Sequence, residues 1–301
     1  MTSPIRKVIV VGGGGNVGRC IVSAFDSDAR FTISILSRSS SRASFPPHIR
    51  VHRTSEYYDE PELIDIFRGQ DAVVCTIATS RISQQKIIID AAAKARVKRF
   101  VPSEFGHDTR NEQAGEMIPF LFKAKKEIVQ YLRTKEKEGL SWTAFVTGPL
   151  FEIAIQNFLG YNIPRRQAMI LNDGANRWST TTLDTVALAV KNAMLAPDWT
   201  TNRYLFIESF RVSQSEILAL LEYIGGSPWN TTHCDAEEEK ELALESLSKG
   251  QLRAMPFLMR YVTCEKGFGG HYMDYEESSN SVLSLPRGSL DEAVRAILRG
   301  G

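Results

Sequence analysis

The chain has 301 residues, 43% hydrophobic and 24% charged, the composition of an ordinary globular protein long enough for two domains. Lys and Arg total 36 against 35 Asp and Glu, so a net charge of +1 argues against a nucleic-acid or membrane surface built on overall charge. Four scattered cysteines (Cys20, Cys75, Cys234, Cys264) lack metal-ligand spacing, no apolar run approaches the ~20 residues of a membrane span, and the expectation is a soluble, cytoplasmic chain without zinc or disulfides.

The first 150 residues alternate short β-rich runs with helical stretches. Val8–Val11 is a continuous apolar run ending in glycines, as expected of a strand buried on both faces of a parallel sheet. A helix follows over Asn16–Phe25, then β-rich runs at Thr32–Leu36 and, more weakly, Ile49–Val51. A short helix at Glu62–Phe67 has Pro61 at its first turn and stops at Gly69. Ala72–Ile77 reads as a strand, Gln84–Ala95 as an amphipathic helix and Arg99–Val101 as a strand stopped by Pro102. A long charged helix over Phe120–Lys137 precedes a strand at Trp142–Val146. This alternation predicts a doubly wound parallel sheet, an α/β Rossmann-type fold. After Pro149 the rhythm breaks, with helices expected at Leu183–Ala196, Gln214–Tyr223, Ala236–Ser246 and Leu290–Leu298. A strand near 203–207 is expected to rejoin the sheet. The division is thus 1–155 for a dinucleotide-binding domain and 156–301 for a smaller, mostly helical substrate-binding region.

The strongest motif follows the first strand. Gly12-Gly13-Gly14-Gly15-Asn16-Val17-Gly18 contains Gly-x-Gly-x-x-Gly, where glycines allow a tight turn, close approach of a pyrophosphate and close helix–strand packing. The helix N-terminus then offers free N–H groups to phosphate oxygens. At the end of the second strand, where an NAD site carries Asp or Glu, stands Ser37-Arg38-Ser39. An arginine there suits a 2′-phosphate and selects NADPH over NADH.

Chemistry in such sheets belongs beyond the carboxyl ends of the strands. Those ends carry Thr76-Ile77-Ala78, Ser103-Glu104-Phe105 and Gly148-Pro149-Leu150-Phe151, with Phe105 and Phe151 as candidates to border a nicotinamide. Tyr131 and Lys135 form a Tyr-x-x-x-Lys pattern, but too late on the long helix and without an upstream serine, so it reads as chance. Lys123, near the helix start and flanked by Phe122 and Ala124, is the candidate proton carrier and a cofactor contact, and Lys125 and Lys126 read as surface charges.

The glycine turn, Ser37-Arg38, Gln85-Lys86-Ile87-Ile88, the stretch Lys98-Arg99-Phe100-Val101-Pro102-Ser103-Glu104-Phe105-Gly106 and Phe122-Lys123-Ala124 together resemble the NmrA-like, isoflavone-reductase-like branch of atypical short-chain dehydrogenases. That branch includes phenylcoumaran benzylic ether, pinoresinol-lariciresinol and isoflavone reductases of plants, with fungal relatives. The resemblance covers roughly residues 5–150 and thins afterwards. It implies an NADPH-dependent reductase of secondary metabolism with one catalytic lysine, mapped to Lys123, acting on an aromatic, phenol-bearing small molecule. Where the plant enzymes carry an Asn-Cys-Phe-type loop, this chain has Gly148-Pro149-Leu150-Phe151, which favours a fungal-type member. Some NmrA-like proteins instead bind NADP without catalysis as redox sensors, and the glycine turn does not separate the two. Phe105, Trp178 and His271 are the expected substrate contacts, drawn from a wider aromatic group (Phe158, Tyr161, Met255, Phe257, Phe268, Tyr272). His271 beside Gly267–Gly270 is a candidate for a mobile closing loop, with a plain surface histidine as the alternative. A small-molecule substrate, no nucleic acid, no membrane and a possible homodimer complete the expectations.

Overall fold

A computed structural model describes residues 4–300. The first half alternates β1 (Lys7–Val11), α1 (Asn16–Asp26), β2 (Thr32–Arg38), β3 (Arg50–Thr54), α2 (Glu60–Phe67), β4 (Ala72–Cys75), α3 (Gln85–Lys94), β5 (Arg99–Val101), α4 (Glu112–Met117), α5 (Pro119–Lys135) and β6 (Ser141–Val146). The second half comprises α6 (Phe151–Asn157), β7 (Tyr161–Asn162), β8 (Gln167–Leu171), β9 (Trp178–Thr180), α7 (Leu183–Leu195), α8 (Pro197–Thr200), β10 (Arg203–Phe206), β11 (Phe210–Val212), α9 (Gln214–Gly225), β12 (Asn230–Cys234), α10 (Ala236–Ser248), α11 (Met255–Cys264) and α12 (Leu290–Gly300).

Seven parallel strands form the main sheet in the order β10-β6-β5-β4-β1-β2-β3. The apolar run of β1 explains why helices cover both faces. Val8 and Val10 join Ile21, Phe25 and Val190 on the α1/α7 side, and Ile9 and Val11 join Leu63, Ile88 and Val129 on the other. Alternate side chains point to opposite faces, so a strand apolar at every position needs cover on both. β10 adds the seventh strand beside β6, with Tyr204 opposite Ala144. Among the described residues no helix is long and apolar enough to cross a membrane.

The second half keeps the four expected helices, as α7, α9, α10 and α12, and adds strands its sequence did not signal. It holds a three-stranded sheet, β12-β8-β7, and a two-stranded ribbon, β11-β9. These pack with α6, α9 and α11 around a core of their own that includes Phe151, Leu159, Trp178, Ile217 and Leu258. α11 begins with Pro256 in its first turn, where the missing N–H costs nothing, so this proline starts a helix instead of breaking the chain.

One buried cation clamps the second half to the main sheet. Arg99 on β5 is 2% exposed and faces no carboxylate, yet its fork is fully used. Nε donates to Ser141 Oγ, Nη1 to Thr143 Oγ1 and Thr200 Oγ1, and Nη2 to the Pro197 carbonyl and Thr201 Oγ1, all within 2.6–3.0 Å. Five donors meet five acceptors on two segments, β6 and residues 197–201. Arg99→Met strands these buried acceptors, and we expect a loss of about 3 kcal/mol in urea unfolding.

Candidate active site

Two concavities meet at the carboxyl ends of the strands. The larger, a groove of about 740 Å³, runs from the glycine turn past Arg38 to Lys125. The smaller is an apolar cavity of about 250 Å³ lined by residues from Gly106–Thr109, α5, Gly148–Leu150 and α11. Thr79, Phe105, Lys125 and Ile153 border both.

The groove is built around the glycine turn. Gly12 has φ +83°, a conformation costly for other residues, and its N–H donates to the Leu36 carbonyl at 3.1 Å. Gly18 sets how close α1 comes to β1: a Cβ there would collide with the Gly12 carbonyl oxygen and stand 2.8 Å from Thr76 Oγ1. Gly13 packs against Ile35 and Val22, so it and Gly18 shape the turn without lining the groove. Gly12, Gly15, Asn16 and Val17 do line it, as do Thr76, Ile77 and Ala78 from the end of β4. No side chain caps α1 and no acid occupies its first turn, so its N-terminal N–H groups face the groove uncontested.

Arg38 lines the groove at the end of β2, but a carboxylate that the sequence reading missed sits beside it. Glu56 pairs with Arg38 at 2.7 Å and with Arg81 at 3.0 Å, and accepts a hydrogen bond from Ser40. Its pKa is held down by the Ser40 bond and the two guanidiniums. Two arginines around one acid leave one net positive charge at this end of the groove. Glu56 lies 18 residues beyond Arg38, and only the β2–β3 crossover brings them together.

The structure sets the sequence candidate Lys123 away from both concavities and brings Lys125, which the sequence suggested as a surface charge, to them. Lys123 is exposed and lines neither concavity, whereas Lys125 is 9% exposed and borders both. The reason is helical phase. Phe122, Lys125, Val129 and Leu132 recur at three- and four-residue intervals on the buried face of α5, and Lys123 points away from it. Lys125 Nζ donates to the Glu104 carbonyl oxygen at 2.5 Å. Burial pushes its pKa down, and the carboxylate of Glu104 opposes that shift. The Glu104 carboxyl is itself buried, accepts a hydrogen bond from Thr109, and has its pKa raised by burial. At the far end of α5, Tyr131 and Lys135 both engage Asp90 and line neither concavity.

His107 is a cavity residue the sequence reading did not single out, although it directly follows the Ser103–Gly106 motif. Thr263 donates its hydroxyl proton to the Met259 carbonyl at 2.7 Å, so its oxygen accepts from His107 Nε2 at 2.8 Å. That assigns the Nε2–H tautomer and leaves Nδ1 as the acceptor. Burial, helped by Lys125, lowers the His107 pKa to about 4.

Other expected contacts divide. Phe105 borders both concavities and stacks on Phe145 at 6.0 Å. Gly148, Pro149 and Leu150 line the small cavity, not the groove, while Phe151 is wholly buried against Phe210. Trp178 is 1% exposed in the second core and does not reach the small cavity. His271 also lies outside that cavity, with both ring nitrogens buried and unpartnered, and the neighbouring Gly270 carbonyl is tied to Ser179 N at 2.9 Å. Of the wider aromatic group, Phe158 lines the small cavity, and Tyr272 is buried with its hydroxyl on the Ile207 carbonyl.

Comparison with known proteins agrees with this geometry. The profile of the NmrA-like family matches residues 4–239. The chain belongs to the NmrA-like family. An oxidoreductase of Aspergillus flavus, aprR, is 55% identical over 294 residues, covering 98% of this chain and 99% of its own. This kinship makes the chain an oxidoreductase of the isoflavone-reductase-like group. The phenylcoumaran benzylic ether reductase Betv6 of Betula pendula is 28% identical over 233 residues, covering 72% of this chain and 73% of its own. Among solved structures, an isoflavone reductase superposes with TM-score 0.79 at 23% identity, over 97% of this chain and 99% of its own. AtPrR2, solved with NADP+ and (+)-pinoresinol, superposes with TM-score 0.77 at 21% identity, over 98% of this chain and 100% of its own.

The buried histidine has a pH signature. Between the ordinary histidine value of ~6.5 and about 4, the unfolded chain takes up a proton that His107 refuses, so its contribution to stability is present at neutral pH and lost on acidification. Nitrogen-15 NMR should show the Nε2–H tautomer of His107 and no titration of its ring above pH ~5.

Proposed function

We propose that this chain is an NADPH-dependent reductase that delivers a hydride to an electron-poor carbon of an aromatic or phenol-bearing small molecule, with Lys125 as the proton carrier. One observation carries the reading: Lys125 stands where the dinucleotide groove opens into the apolar cavity. The residues present fit the cofactor. Gly12 and Gly18 let α1 start close against β1 and the end of β4, the start of α1 offers N–H groups to the groove, and Arg38 with Arg81 offers guanidiniums for a 2′-phosphate. NADPH, when bound, supplies the hydride.

The chain's own residues do the rest. Phe105, Leu121, Phe122, Ile153 and Met259 make the cavity wall apolar, which excludes water and suits a flat ring. Lys125 keeps one N–H on the Glu104 carbonyl, which fixes the position of Nζ. Its remaining protons are free to move to or from a substrate oxygen, and its lowered pKa makes that exchange easier. His107, neutral at pH 7, offers an acceptor to a substrate hydroxyl without adding charge. Relatives named for phenolic substrates support a role in secondary metabolism. All four cysteines are free, which supports a reducing, cytoplasmic setting.

Lys125→Met should lower NADPH oxidation at least ~100-fold across a panel of aromatic enones, imines and quinone-methide precursors, while Lys123→Met stays within about twofold. A limb of the wild-type pH–rate profile below the ordinary lysine range of ~10.4 should vanish in Lys125→Met. Tight NADP+ binding with no turnover of any panel member would support the sensor reading instead. Separately, Arg38→Ala should reduce the preference for NADPH over NADH by at least ~10-fold, read as the ratio of kcat/KM values.

A further inference from the structure

A second buried arginine differs from Arg99 in one decisive respect. Arg260 on α11 is 5% exposed and forms no ion pair among the described residues. Its Nε donates to the Phe158 carbonyl at 3.0 Å, and its guanidinium lies 5.1 Å from the Phe257 ring centroid. Nη1 is buried without any partner. Arg99 shows that this fold can satisfy all five donors of a buried guanidinium with its own acceptors. Around Arg260 the protein pairs only Nε, and Nη1 is the buried nitrogen left without an acceptor. Such a group is costly unless something else meets it.

The surroundings indicate what that is. Arg260 lines a cleft of about 540 Å³, separate from the dinucleotide groove, whose polar lining includes Asn162, Gln167, Asn230 and the exposed Arg253. No Asp or Glu lines it. Phe158 is a wall shared with the small apolar cavity, and successive residues of α11 serve the two: Met259 the cavity, Arg260 the cleft. Phe257 adds an aromatic face. Glu239 on α10 acts on this guanidinium electrostatically without pairing with it. No carboxylate lines the cleft to meet the charges of Arg260 and Arg253, so the lining favours an anion, and a planar fork matches a carboxylate.

We propose that this cleft is a binding site for a carboxylate carried on an aromatic body, its anionic group held by Arg260 with Arg253 at the entrance and its ring against Phe158 and Phe257. The assignment is independent of whether the neighbouring cavity performs a reduction.

Calorimetric titration of the full chain with 4-hydroxyphenylacetate and with its methyl ester tests it directly, without any turnover. We expect saturable binding of the acid, at least ~10-fold weaker binding of the ester, loss of acid binding in Arg260→Met, weakening in Arg253→Gln, and retention in Lys125→Met. Equal binding of acid and ester, or no binding of the acid, overturns the proposal. So does loss in Lys125→Met with retention in Arg260→Met, which assigns the acid to the small cavity, or displacement by equimolar inorganic phosphate, which marks a general anion site. Should Arg260→Met not fold, the acid-to-ester ratio of the wild type and the Arg253→Gln titration decide.

Discussion

The hydrogen bond from Lys125 Nζ to the Glu104 carbonyl holds α5 against the exit of β5, and the relation between groove and cavity depends on it. Burying an ammonium is expensive, and its ordinary fate is to shed the proton or find a carboxylate. Here the compensation is a main-chain oxygen in direct contact, with the Glu104 carboxyl favouring the charge from the same loop. The two effects oppose each other, and burial prevails, so the ammonium gives up its proton more readily than an exposed one. The same loop also fixes the strand ends. Ser103 donates its hydroxyl to the Ile77 carbonyl and its N–H to the buried Gln85 side chain, so the exits of β4 and β5 move as one.

Two cores share the work. The sheet core, apolar on both faces, carries the dinucleotide groove, and the second core places α6 and α11 over the small cavity. Arg99 ties β5 and β6 to the segment around α8 by hydrogen bonding alone. Because it reaches β6 and the segment around α8 together, the edge strand β10 is held in register where a sheet edge would otherwise be free to fray.

The sheet was legible in the sequence because its central strands carry unbroken apolar runs, Val8–Val11 in β1 and Ala72–Cys75 in β4, as a parallel sheet covered on both faces requires. The second half was less so. β12 reads Asn-Thr-Thr-His-Cys, a half-exposed edge with no apolar signal, and α6 is too short for periodicity to show. Lys125 was visible in principle: three residues after Phe122 and four before Val129, it falls on the apolar stripe, whereas flanking residues alone drew attention to Lys123. Glu56, Thr263 and the pairing of Arg260 with Phe158 depend on contacts between distant segments, which no local pattern encodes. Trp178 illustrates the opposite hazard, an aromatic residue that suggested a pocket and serves a core.

Glu56 makes the arginine end of the groove a site of exchange. Without a dinucleotide, Arg38 and Arg81 already have an anion to hold. On the proposed reading an incoming 2′-phosphate competes with a tethered carboxylate for the same guanidiniums, and it gains only the difference between the two attachments. A ribose bearing a hydroxyl meets arginines already paired with Glu56 and, carrying no charge, has little to offer them. Selectivity then comes from rivalry as much as from attraction, since an internal mimic sets the threshold that an external ligand must exceed.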